Sequence, residues 1–191
     1  MSHAGRKRIY LAGPEVFLPN AMEVGRAKVA LAREVGFEGL FPLDQQLDLG
    51  HLPKLEQARR ISLANEALMR SADCLIANLT PFRGVSMDSG TAFEVGFMRA
   101  LGRPVLGYTN VPGDYRSRAE AFRTRGVPFG DCDADGIEIE DFGMAENLMI
   151  AIAILENGGS VVEGRAPAGS EMADLTAFRE SLEEARRLLL D

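Results

Sequence analysis

Short apolar runs alternate along this chain with longer stretches of helical period, the pattern of β-α-β units on a parallel sheet. Arg8 to Ala12 is the first run, broken by Gly13 and Pro14. From Asn20 to about Glu34 the apolar residues Val24, Ala27, Leu31 and Val35 recur at helical spacing, and Gly36 sits where a C-terminal cap belongs, which predicts a first helix. Glu38 to Phe41 reads as a short strand. A polar loop holding Pro42, Asp44, Gln45 and Gln46 leads to a second helix, about Lys54 to Ser71, with Leu55, Ala58, Ile61, Leu68 and Met69 as its inner face.

The run within Asp73 to Leu79 is almost unbroken in apolar residues and predicts a central strand covered on both faces. After a loop to Met87, a third helix spans about Ser89 to Leu101, closes at Gly102, and yields at Pro104 to a strand, Val105 to Thr109. Beyond Asn110 the pattern weakens into an Arg-rich piece, Arg116 to Arg125, and an acidic loop, Asp131 to Asp141. A helix from about Ala145 to Leu155 and a fifth strand at Ser160 to Val162 follow. In the tail, Glu171 to Leu190, the residues Met172, Leu175, Phe178, Leu182 and Leu189 form one helical stripe, which must pack on its own sheet or on a neighbouring subunit.

A length of 191 residues favours a single domain over 1–191, and 46% hydrophobic with 26% charged residues excludes disordered, collagen-like and coiled-coil chains. The net charge of −7 argues against nucleic acid or an anionic membrane as partner. The two cysteines, Cys74 and Cys132, lack the spacing of a disulfide framework or a zinc site. With no export signal or spanning run expected, a reduced, cytoplasmic compartment fits best.

Ligands of an open parallel sheet gather at the carboxyl ends of the strands. The loops there carry Gly13 and Pro14, then Asp44 to Gln46, then Ser86, Asp88, Ser89 and Gly90, and lastly Asn110, a carboxylate-bearing rim without histidine. Within Asp88-Ser89-Gly90-Thr91-Ala92-Phe93-Glu94-Val95-Gly96, one carboxylate stands at the strand-to-helix turn and another in the first turns of the helix, where the helix dipole should keep Glu94 charged and nucleophilic. A plainer reading stands beside this: Thr91 and Glu94 fit a capping box, and Asp88 or Ser89 an ordinary N-cap.

Neither Gly-x-Gly-x-x-Gly nor a Walker-type loop is present. The run Asp131, Asp133, Asp135, Gly136 opens like a calcium loop but has Phe142 where a glutamate is needed, and reads as a solvated turn. His3 and His51 are isolated, and the phenylalanines and methionines read most simply as core.

Over about residues 8 to 150 the chain resembles the nucleoside 2-deoxyribosyltransferases. The resemblance rests on separated pieces in the right order: Ile9-Tyr10-Leu11-Ala12-Gly13-Pro14, Pro42-Leu43-Asp44-Gln45-Gln46, the Asp88–Gly96 segment continuing through Arg99-Ala100-Leu101-Gly102-Arg103-Pro104-Val105, and Asp141-Phe142-Gly143-Met144-Ala145-Glu146-Asn147-Leu148-Met149. It implies a flavodoxin-like or Rossmann-like three-layer α/β sandwich with a mainly parallel sheet of about five strands.

The resemblance further implies catalytic roles for three residues: Glu94 as nucleophile, Tyr10 as the hydroxyl that orients it, and Asp88 as the carboxyl facing the departing and arriving base. Gly13, Asp44, Gln46, Asn65, Asp88 and Gly90 fall at substrate-binding positions, with Asn65 where some members carry an aspartate. Asn147 matches a residue that reaches the sugar 5'-hydroxyl from the neighbouring subunit, which implies a homo-oligomer. Substrates would be 2-deoxyribonucleosides and free nucleobases, exchanged in nucleoside salvage, with no metal and no organic cofactor. A deoxynucleoside 5'-monophosphate N-glycosidase, for which Ser86 and Ser89 offer anion contacts, and a non-catalytic nucleotide-binding module are the alternatives.

Overall fold

The computed structural model describes residues 5–44, 48–124 and 138–191. Its centre is a parallel sheet of β1 (Arg8–Ala12), β2 (Glu38–Leu40), β3 (Cys74–Asn78), β4 (Val105–Thr109) and β5 (Val161–Glu163), in the order β2-β1-β3-β4-β5. Among the described residues six α-helices connect or follow the strands: α1 (Ala21–Val35), α2 (Lys54–Ser71), α3 (Ser89–Ala100), α4 (Tyr115–Thr124), α5 (Leu148–Leu155) and α6 (Thr176–Leu189).

Every residue of β3 and β4 is buried, because helices cover both faces of the sheet and alternate side chains feed two separate cores. Ile9, Leu11, Cys74, Ile76, Leu106 and Tyr108 meet α1 and α6 on one face. Tyr10, Ala12, Leu75, Ala77 and Val105 meet Met69 of α2, Val95 and Met98 of α3 and Ile154 of α5 on the other. The three layers are those expected. α6 uses its stripe against its own sheet, with Phe178, Leu182 and Ala185 in the first core.

Helix ends follow local chemistry. Gly36 and Gly102 stop α1 and α3 at φ of 107° and 67°, a left-handed conformation that glycine adopts without Cβ strain. α5 begins at Leu148 rather than near Ala145, because the Asn147 side chain accepts from Met149 N at 3.0 Å and sets the cap. The described part of the Arg-rich piece, 116–124, lies in α4, where Ala119 is buried and Arg116 pairs with Glu120 at 2.9 Å. In α2 the expected inner face is corrected: Leu55 and Ile61 are exposed, and only Met69 is fully buried.

The strand order reverses direction between β1 and β3, so the loops leaving their carboxyl ends diverge and open a crevice. Those loops carry Gly13 and Asp88.

Candidate functional site

A cavity of about 320 Å³ occupies this crevice, large enough for a small ligand. It is lined by Gly13, Val16, Phe17, Pro42, Leu43, Ile61, Asn65, Asp88, Gly90, Thr91 and Glu94. Ile61 and Asn65 share one face of α2 at i, i+4 spacing and face the cavity, while Leu68 and Met69 near the end of the helix pack into the core.

Tyr10 points from β1 toward α3, and its hydroxyl donates to Glu94 Oε1 at 2.6 Å. Burial, followed by the charge of Glu94 and the hydrogen bond to it, pushes the phenol well above its ordinary range, so Tyr10 stays a donor. Glu94 belongs to the second turn of α3, past the reach of the helix terminus, and the expectation of a carboxylate held charged there is corrected. Burial pushes its carboxyl up to about 7; Asp88 and Glu15 push the same way, while the Tyr10 hydrogen bond and Lys28 oppose them.

Asp88 is the N-cap of α3, accepting from Thr91 N at 3.0 Å and from Thr91 Oγ1 at 3.2 Å, both through Oδ2. The plainer reading therefore holds for Asp88 and fails for Glu94, since no capping box forms and Glu94 turns to Tyr10. Capping does not remove Asp88 from the cavity wall, where its charge acts on Glu94.

Of the other expected residues, Gly13, Asn65 and Gly90 line the cavity. Asp44 ends the 3₁₀ turn Pro42–Asp44, which supplies Pro42 and Leu43 to the rim. Gln46 lies outside the described residues, as do Cys132 and the calcium-like run from Asp131 to Gly136. Asn147 is absent from the lining of its own chain's cavity and donates through Nδ2 to Glu140 Oε2 at 2.7 Å. Ser86 Oγ donates to Glu146 Oε1 at 2.7 Å and Met87 N to Glu146 Oε2 at 3.0 Å, so a buried carboxylate already occupies these anion-binding groups. Among the described residues no group of three or more acidic, histidine or cysteine side chains is placed to hold a metal, and no helix is long and apolar enough to cross a membrane.

Two features escaped the sequence reading. Phe17 is 55% exposed at the cavity and stacks on Phe82, ring centroids 5.5 Å apart, with the Arg83 guanidinium over both rings. It is a flat apolar wall rather than core. The second is a fully buried pair, Glu15 and Lys28, joined at 2.7 Å. Its sequence signal was a lysine between Val24 and Leu31 on the inner face of α1.

A family model for nucleoside 2-deoxyribosyltransferases matches residues 9–149. The chain belongs to the nucleoside 2-deoxyribosyltransferase family. A 2-deoxyribosyltransferase from Leishmania mexicana is similar at 31% identity and a TM-score of 0.58, over 75% of this chain and 85% of that one. An uncharacterized protein of Schizosaccharomyces pombe is 32% identical over 80% of this chain and 79% of its own length. A conserved protein from Enterococcus faecalis, at 20% identity and a TM-score of 0.59 over 95% of this chain and 99% of its own, shares the fold. The family match spans the whole lining of the cavity and ends before β5 and α6.

Proposed function

We propose that this family member transfers 2-deoxyribose between nucleobases through a glycosyl ester on Glu94. The reading rests on one observation above all: a carboxylate hydrogen-bonded by a buried tyrosine at 2.6 Å, in a cavity that also exposes a second carboxyl, Asp88. Ionised Glu94 attacks C1' of the deoxyribosyl group as the N-glycosidic bond breaks, and the bond electrons leave with the base. Asp88 supplies a proton or a hydrogen bond to that base. An incoming base then displaces Glu94 from C1', so two inversions return the original configuration. The missing 2-hydroxyl eases the oxocarbenium-like state, and Phe17, Val16 and Ile61 offer the apolar walls that suit a planar base.

The transferase Leu-Ala-Gly-Pro and Asp-Ser-Gly segments and the similar Leishmania mexicana enzyme support the same chemistry. Salvage of nucleosides is the role in which such exchange serves. Hydrolysis of 5'-monophosphates is the weaker reading, since Ser86 and the Met87 amide are engaged by Glu146.

A homo-oligomer completes the site in this reading, with Asn147 acting across the interface. The exposed apolar residues Phe93 on α3 and Met149 and Leu155 on α5 suit a subunit contact beside it. The test is incubation with deoxyinosine and adenine, following deoxyadenosine and free deoxyribose by chromatography. Deoxyadenosine formed by the parent and not by Glu94→Ala is expected. Its absence from both, with base binding retained, would overturn the transfer reading in favour of a binding module.

A further inference from the structure

Glu15 follows Gly13 by two residues, in the 3₁₀ turn Pro14–Phe17 that leaves β1. Its Oε1 accepts three hydrogen bonds: from Lys28 Nζ at 2.7 Å, Tyr108 OH at 2.8 Å and Asn78 Nδ2 at 3.1 Å. Its Oε2 is buried with no hydrogen-bond partner among the described residues. That oxygen lies against the back of Gly13, 1.9 Å from where a Cβ on Gly13 would sit, and the front of Gly13 is cavity wall. Lys28 also stands over the Tyr108 and Phe178 rings, at 5.5 and 4.8 Å from their centroids.

Burying an ion pair is weak support for stability, because desolvation consumes most of the attraction, and an acceptor left unpaired worsens the balance. A fully buried pair with one idle oxygen, set directly behind the cavity, calls for another role. Glu94 is the titrating group on the cavity side. The charged and titratable groups acting on it are Tyr10 from β1, Asp88 from the head of its own helix, Glu15 from the turn after β1 and Lys28 from α1. α2 faces the same cavity through the uncharged Asn65.

We propose that Glu15 and Lys28 are positioning residues for the nucleophile: from behind Gly13 they supply opposed charges that govern when Glu94 holds its proton. In transfer chemistry, which rests on reading Glu94 as nucleophile, the pair would then set the pH at which the enzyme becomes competent. Glu15 favours the protonated carboxyl and Lys28 the carboxylate, so removing each should move Glu94 in opposite directions.

The experiment uses full-length protein labelled with ¹³C at glutamate carboxyls, the Glu94 resonance being assigned by its loss in Glu94→Gln. Its titration is followed in the parent, Glu15→Gln and Lys28→Met, alongside the pH profile of deoxyadenosine formation. Midpoints displaced downward in Glu15→Gln and upward in Lys28→Met, each by on the order of half a unit or more, are expected. A purely structural role would leave both folded variants titrating with the parent, and that result would overturn the idea. Should the single variants fail to fold, Glu15→Gln/Lys28→Met leaves no charge at the pair and is the form to titrate. A displaced midpoint is expected there, and an unchanged one overturns the idea equally. Opposite displacements in a protein that makes no deoxyadenosine would uphold the control of Glu94 while overturning the transferase reading.

Discussion

Tyr10 and Glu94 lie 84 residues apart in the chain and 2.6 Å apart at the end of the sheet. β1 holds the phenol fully buried and α3 brings the carboxyl across the β1–β3 crevice, so the contact depends on the register of two strands and one helix at once. The donor is fixed before any substrate arrives, which is the form of preorganisation that catalysis by positioning requires.

Transfer should depend on pH through Glu94. Only the carboxylate is nucleophilic, so with the carboxyl at about 7 the rate should rise as pH passes through neutrality. The fold should feel the opposite. Between the ordinary 4.5 and 7, the unfolded chain releases this proton while the folded chain keeps it, so stability falls as pH rises. Glu94→Gln should therefore be more stable than the parent above pH 7, by about 1–3 kcal/mol, with the gap closing near pH 4. Thermal melts of both proteins across that range check it.

Tyr10→Phe removes the donor and leaves the ring. Because the hydrogen bond holds the Glu94 carboxyl down, the acid limb of the profile should move to higher pH. A hydrogen bond to a charged group is worth roughly 1.5–3 kcal/mol, so activity at neutral pH should fall about 10- to 100-fold. Rate profiles from pH 5 to 9 read both effects.

Asp88 caps α3 and, in the proposed transfer, also serves the base, and two substitutions separate the two roles. Asp88→Asn keeps an acceptor for Thr91 N and should hold stability, whereas Asp88→Ala should lose about 0.5–2 kcal/mol. Both should lose transfer by roughly 10²- to 10⁴-fold. Denaturant melts and the chromatographic assay, run on the same preparations, distinguish the two contributions.

Gly13→Ala would place a methyl group 1.9 Å from Glu15 Oε2, inside contact distance. Either the carboxylate leaves its three donors or β1 shifts, and a loss of about 1–3 kcal/mol is expected, with activity lost as well. A variant with unchanged melting and turnover would mean that the turn yields freely.

If Asn147 serves a neighbour's site, lesions in different subunits should complement. Glu94→Ala and Asn147→Ser, the serine keeping a capping oxygen, should each be inactive alone. Co-expressed as a dimer, they should recover about a quarter of parental activity, since half the pairs are mixed and half of their sites intact. No recovery would put Asn147 outside catalysis.

Much of this was readable from the chain because its cause is local. Helical period and a glycine stop predicted α1 and α3, and unbroken apolar runs predicted β3 and β4. The Arg-rich α4 escaped because Ala119 is its buried anchor, too small to leave a period. In α2 the period was present but its members divide, Ile61 to the cavity and Leu68 and Met69 to the core, since a stripe cannot declare which surface it meets. The family segments named Tyr10, Asp88 and Glu94, and the geometry joins them. Glu15 stayed hidden because its partners come from α1, β3 and β4, up to 93 positions away.

The last helix lies outside the family match, yet Phe178 rests over the Lys28 ammonium and against Tyr108. The carboxy-terminal segment is thus a rear seal on the buried Glu15–Lys28 pair. Trimming the chain to its family core would strip Phe178, Leu182 and Ala185 from the first core and admit water to Lys28, so the region matched by the family depends on the segment beyond it for its dryness.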